Sequence, residues 1–312
     1  MEEKEYLYIF SHVHKSGGTS INHHIRRNYK QTQYIHIHFN EANCFYNLKS
    51  RQYDVLKDND HLASYLASLS IKKKEQIAVL FGHDVPYGID ANFNKTPKYF
   101  TFVRHPVSRI ISYFNYSLAT IEETNFNPAK DDNDWLRSFF SGNTLMSFTD
   151  WVLAVNKNPE ILTKQFPSLI DHYCLIFNPV HCGGVSSLDN AKEILTRFYF
   201  VGLTEDFKDF LFLYEDIGFT KIYFNHNITA KEYVNKEDAN FLIKNCAGFL
   251  QDEIKLYEFS IDCNKNFREK NDHYFKKVES CSNRINSWLW DQLKKDLEIM
   301  KSKDHLGYRY SL

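Results

Sequence analysis

Tyr6-Leu7-Tyr8-Ile9-Phe10-Ser11-His12-Val13-His14-Lys15-Ser16-Gly17-Gly18-Thr19-Ser20 is the stretch that decides the fold. Its apolar, aromatic start reads as a buried strand. The glycine pair turns the chain, and the residues from Thr19 to about Tyr29 carry a helical pattern. Strand, glycine loop and helix form a P-loop-like opening unit. Working outward, residues 34–39, 77–81, 99–103 and 198–201 read as further strands. The third of these five strands ends in Gly82-His83-Asp84 and the fourth in Arg104-His105-Pro106, where Pro106 at the first helical position starts a helix to about residue 118. Helical pieces are expected at 62–69, 135–140, 148–155, 191–198 and 205–214, and most of the last hundred residues read as helix. Strands alternating with helices predict an α/β fold with a three-layer, mainly parallel central sheet and a helical C-terminal part. In such sheets ligands sit at the carboxyl ends of the strands. With no repeat or long linker, residues 1–312 read as one domain. Its alternating strand-and-helix core spans about 6–120 and 191–262, with variable helical segments at about 40–75 and 120–190.

Composition narrows the function. The chain has 312 residues, 43% of them hydrophobic, with 26 Phe and 20 Tyr. At this size about 75% of the unfolded surface can be buried, so no disulfide or metal staple is required. The formal net charge of -1 excludes a general binder of nucleic acid or membrane surface, which needs an excess of Lys and Arg. An anionic ligand must therefore be met by locally concentrated charge. Cys44, Cys174, Cys182, Cys246, Cys263 and Cys281 are dispersed and read as reduced thiols of a cytosolic protein. His172, Cys174, His181 and Cys182 have some flavour of a metal site, but zinc sites show tighter paired spacings, and no metal is expected. The acidic start is unlike a signal peptide, and no run approaches the ~20 apolar residues of a membrane span. A cytoplasmic location is the expectation, with a trimmed anchor left open. The sequons at Asn94, Asn115 and Asn227 are given no weight, since such triplets arise by chance.

Residues 14–20 have the composition of an anion cradle. Gly17 and Gly18 permit backbone angles that turn N–H groups inward. The helix start offers further N–H groups and a favourable dipole. Thr19 and Ser20 add hydroxyls, and Lys15 adds a point charge. The plainer reading is a tight turn. Lys15 precedes the glycine pair, whereas a nucleoside-triphosphate loop reads GxxxxGK[ST] with Lys after the second glycine. An ATPase or ordinary kinase is disfavoured on that spacing.

The stretch His12 to Ser20 resembles the HIPKTGGTS loop of sulfotransferases that use 3'-phosphoadenosine-5'-phosphosulfate (PAPS), in the heparan and chondroitin branch. It departs at His14 and Ser16, where that family usually has Pro and Thr. The resemblance implies that Lys15, Ser16, Gly17, Gly18, Thr19 and Ser20 hold the 5'-phosphosulfate. Residues 99–113, with Arg104-His105-Pro106-Val107-Ser108-Arg109, resemble the family's 3'-phosphate signature, which implies that Arg104 and Ser112 hold that phosphate. Arg109 stands between a cofactor contact and a surface cap. Phe200-Val201-Gly202-Leu203-Thr204-Glu205 and Asp252 to Glu258 resemble two later segments, the first near the cofactor and the second a packing helix.

The activity implied is sulfuryl transfer from PAPS, with PAP as product, to the hydroxyl of a glycan or small-molecule acceptor. Lys15 would neutralise the leaving group. His83 follows a strand, is of the side-chain type whose unperturbed pKa suits proton abstraction near neutrality, and lies in a segment similar to the GH-x-x-Y loop of 2-O-sulfotransferases, so it is the expected base. Asp84 is a weak orienting candidate, and Glu205 and His14 are reserve bases. Two rivals stand beside this reading: a phosphoryl-transfer enzyme with an unusual phosphate loop, and a nucleotide-binding module without catalysis. The aromatics Trp135, Phe139, Phe140, Phe148 and Trp151 read first as core and second as acceptor contacts.

Overall fold

In the first strand, Leu7 and Ile9 belong to one buried cluster while Phe10 belongs to another, which is the period-two alternation of a strand covered on both faces. The computed structural model describes residues 5–37, 44–47, 52–55, 59–83, 85, 87–158, 187–218, 233–245 and 247–276. In chain order the elements are β1 (Tyr6–Ser11), α1 (Gly18–Asn28), β2 (Tyr34–Ile37), β3 (Cys44–Asn47), β4 (Gln52–Val55), α2 (Asn59–Ser68), α3 (Ile71–Gln76), β5 (Val79–Gly82) and β6 (Thr96–Val103). There follow α4 (Pro106–Thr124), α5 (Asp134–Arg137), β7 (Phe140–Ser141), β8 (Thr144–Leu145), α6 (Phe148–Lys157), α7 (Leu188–Thr196), β9 (Phe200–Leu203), α8 (Phe207–Ile217), α9 (Lys236–Asn245) and α10 (Ala247–Lys270).

The central sheet has the order β2-β5-β1-β6-β9, and every pairing in it is parallel. One face buries Leu7, Ile9, Ile37, Leu80 and Val201 against Leu62 and Leu66 of α2, Ile194 and Leu195 of α7, and Leu256 of α10. The other buries Phe10, Phe81, Phe100, Phe102 and Phe200 against Ile21 and Ile25 of α1 and Phe210, Phe212 and Leu213 of α8. Helix, sheet and helix give the three layers expected. A third cluster stands apart from the sheet, where α4, α5, α6 and α9 close around Phe114, Phe139 and Trp151.

Several sequence expectations need correction. Two short antiparallel pairs, β3–β4 and β7–β8, fall where only polar or helical character was expected. The second is a hairpin about Gly142-Asn143, with Gly142 at φ 61°, a dipeptide suited to the tight turns that match strand twist. It ends the helix expected over 135–140 at Arg137, and Phe140 becomes strand. The last central strand starts two residues late because Phe198 closes α7, its N–H donating to the Leu195 carbonyl at 3.2 Å. Helix α4 runs on to Thr124 and stops at Asn125 in the left-handed region, a common helix terminator. His172, Cys174, His181, Cys182, Asp84 and Asn227 lie outside the described residues. Among the described residues no helix is long and apolar enough to cross a membrane.

Candidate active site

Because β1, β5, β6 and β9 are parallel, their carboxyl ends lie on one rim. From that rim emerge residues 12–17 after β1, His83 after β5, Arg104 after β6, and Thr204 and Glu205 after β9. Segments far apart in sequence are thereby brought together at a place where open α/β sheets bind ligands.

The loop after β1 is wound tightly. Ser16 N–H donates to the Val13 carbonyl at 3.3 Å, Lys15 takes φ 60°, and Gly17 caps α1 at φ 75°. A left-handed lysine costs about 1–2 kcal/mol, a strain that persists only where surrounding contacts enforce it. Two such contacts come from other strand ends. Arg104 Nη1 donates to the Lys15 carbonyl at 3.4 Å, and Thr204 Oγ1 lies 3.0 Å from the Ser16 carbonyl. With these carbonyls drawn outward, the planar peptide turns the Gly17 N–H the other way. Gly18 packs so closely on the His12 ring that a Cβ there would sit 1.9 Å from the imidazole.

Three features fit this loop to an anion. The Ser16 hydroxyl is buried and has no hydrogen-bond partner. No carboxylate among the described residues makes an ion pair with Lys15 or Arg104, although Glu205 acts on Arg104 from farther off. Burial first, and Arg104 second, lower the Lys15 amine from its ordinary 10.5 to about 8. Two cations held together against that cost mark a place where negative charge is missing. The α1 N-terminus adds its free N–H groups, with Thr19 half-buried and Ser20 buried beside them.

Arg104 is itself lowered by burial, partly countered by Glu205. Glu205 accepts from His105 N–H at 2.8 Å and from the Tyr257 hydroxyl at 3.1 Å, which ties β9 to α4 and α10 and gives the carboxylate structural work. Ser112 lies two turns into α4, half-buried, on the same face as Ser108. Arg109 is no surface cap: it is 3% exposed and its Nη1 lies 3.7 Å from Glu253 of α10. Asn115 is buried, and its Oδ1 accepts from Tyr233 N–H at 3.2 Å, a structural use of that sequon.

His83 Nδ1 lies 2.9 Å from the His12 carbonyl oxygen. A carbonyl only accepts, so the proton is on Nδ1 and the lone pair of the neutral ring is on Nε2. The His83 ring is stacked on His12 at 3.8 Å and 24°, and on His14 at 3.8 Å and 9°. His12 is held in turn by the Asn22 amide, 3.1 Å from its Nδ1.

A sulfotransferase-family profile matches residues 2–299. The chain belongs to the sulfotransferase family. Among curated proteins it is similar to "Heparan-sulfate 6-O-sulfotransferase 2" of Gallus gallus, 24% identical over 281 residues covering 82% of this chain and 66% of that one. It is also 24% identical to "Heparan sulfate 2-O-sulfotransferase 1" of Gallus gallus over 278 residues, covering 84% of this chain and 71% of the relative. The Homo sapiens protein of that name is 24% identical over 219 residues, covering 69% and 55% of the two chains. The chain thus spans just under two thirds of the 6-O relative and just over half of the human one.

Around this site the aromatics divide. Phe139, Phe148 and Trp151 are buried in the cluster around Phe114, so they are core and not acceptor contacts. Trp135 is half-buried and stacks at 5.9 Å on Tyr116, which is 42% exposed. The Lys15 ammonium lies 3.9 Å from the Tyr116 ring centroid. Sequence reading passed over Tyr116, although Ser108, Ser112 and Tyr116 at i, i+4 and i+8 share one helix face.

Proposed function

We propose that this sulfotransferase transfers the sulfuryl group of PAPS to a carbohydrate hydroxyl. The observation that carries the reading is the meeting of Arg104 with the Lys15 loop, two half-buried cations on one rim. The bound donor supplies a sulfuryl group activated by its bond to a phosphate. Lys15, Ser16, Thr19, Ser20 and the N–H groups of Gly17 and Gly18 hold its 5' end, while Arg104 and Ser112 hold the 3'-phosphate. His83 Nε2 takes the proton of the acceptor hydroxyl as that oxygen bonds sulfur and the sulfur–oxygen bond to phosphate breaks. Lys15 offsets the charge that grows on the departing phosphate, where preorganised charge contributes most. The names of the relatives support a heparan-type glycan acceptor, with a small hydroxylated metabolite as the second possibility.

The test is a thermal-shift titration with 3'-phosphoadenosine-5'-phosphate (PAP), with AMP, ADP and ATP-Mg²⁺ as controls. At about 100 times its dissociation constant the nucleotide adds roughly 2.7 kcal/mol of stability, a shift of several degrees. The shift should be specific to the 3'-phosphorylated nucleotide and lost in Arg104→Ala. An equal shift with ATP-Mg²⁺ would move the phosphoryl-transfer reading to the front. In a labelled-PAPS assay, His83→Ala should bind PAP normally and transfer no sulfate.

A further inference from the structure

We propose that His14 is a positioning residue for sulfuryl transfer: its ring clamps His83 against His12 and so aims the His83 Nε2 edge at the acceptor. The inference rests on the reading of His83 as the base. His83 stands just beyond the end of β5, in a connecting segment whose side chain has two soft torsions. Proton abstraction tolerates little wander, since a misplacement of about 1 Å can cost 10²-fold in rate.

The loop geometry removes that freedom from three sides. One face of the ring is covered by His12 at 3.8 Å and the other by His14 at 3.8 Å and nearly parallel, 9°. The Nδ1 edge is fixed on the His12 carbonyl at 2.9 Å. Held on both faces and at Nδ1, the ring has the heading of its Nε2 edge set by these three contacts. Both clamping rings come from the stretch that carries Lys15, so one loop orients the base and the group that meets the leaving phosphate.

The experiment compares wild type, His14→Ala, His14→Phe and His83→Ala, with labelled PAPS and completely desulfated, N-sulfated heparin as the acceptor probe. His14→Ala should lose about 10²-fold in kcat, with acceptor KM and PAP affinity within threefold of wild type. His14→Phe restores a flat ring and should recover kcat to within about fivefold. Near-normal kcat in His14→Ala, a loss confined to KM or PAP affinity, or a Phe variant as slow as the Ala variant overturns the clamp. Near-normal turnover in His83→Ala sinks the base assignment instead, so the two failures are distinct. The arrangement is also readable without acceptor. Side-chain ¹⁵N–¹H spectra should show His83 as the Nδ1–H tautomer in wild type and His14→Phe, and as a tautomer mixture in His14→Ala. An unchanged tautomer in His14→Ala, or Nε2–H in wild type, would also overturn it.

Discussion

The Lys15 amine faces opposed demands in the empty and the occupied site. Burial, and then Arg104, hold it at about 8 against an ordinary 10.5, so the ligand-free fold favours the charged amine less than water does. Its folded pKa is depressed, so its contribution to ligand-free stability is present above about 10.5 and is lost as pH falls through about 8. An anionic nucleotide needs the opposite, the charged form. Between pH 7 and 9 phosphate monoesters are already dianionic and contribute no titration of their own. PAP affinity should therefore be level near pH 7 and fall by up to about tenfold per unit above pH 8. Lys15→Met should bind weakly with no such slope, and calorimetry across that range checks both. The loop was legible because it belongs to a local pattern of strand, turn and helix start, whereas Arg104 was picked out by the resemblance of residues 99–113 and not by its local pattern. The His83 clamp and the Glu205 bracket were not legible. They join residues 71 and 100 positions apart, and nothing in either partner's neighbourhood announces the other.

At the scale of elements, the anchor of the rim is Asp209, wholly buried near the start of α8. Its carboxylate accepts from Leu203 N–H at the end of β9 at 2.6 Å and from Asn264 Nδ2 of α10 at 2.8 Å. Arg268 of α10 completes the set, with Nη2 at 2.6 Å from the other oxygen. Strand β9 and helix α10 thus converge on one side chain of α8. Asp209→Ala would leave a backbone N–H and part of a guanidinium without their partner, a class of change that costs about 3–5 kcal/mol. Its melting temperature should fall by roughly 10 °C, with the PAP shift reduced because Thr204 and Glu205 lose their support; a melt with and without nucleotide reads both. The helices and central strands were legible in the sequence through periodicity and through Pro106. The hairpin at Gly142-Asn143 was signalled by its turn but masked by the aromatic density around it.

For the molecule as a whole, the parallel order β2-β5-β1-β6-β9 puts the first strand in the middle and leaves β2 and β9 at the edges. Opening of the sheet should start at those edges. The amides of Ile9 and Phe10 should be among the slowest to exchange with deuterium, and those of β2 much faster, which native-state exchange would show directly. The same order has a consequence for biosynthesis. The signature loop is translated early, yet Arg104 lies 89 residues after Lys15 and Thr204 lies 188 residues after Ser16. At about 5–20 residues per second, the ribosome needs roughly 5–20 s to supply the arginine and about twice that to supply the threonine. Until then the loop has neither its neighbouring strands nor the groups that hold its carbonyls outward. A chain stalled or cut before β9 carries an intact signature loop and an unfinished cradle, so the most recognisable part of this chain is the part that depends on everything made after it.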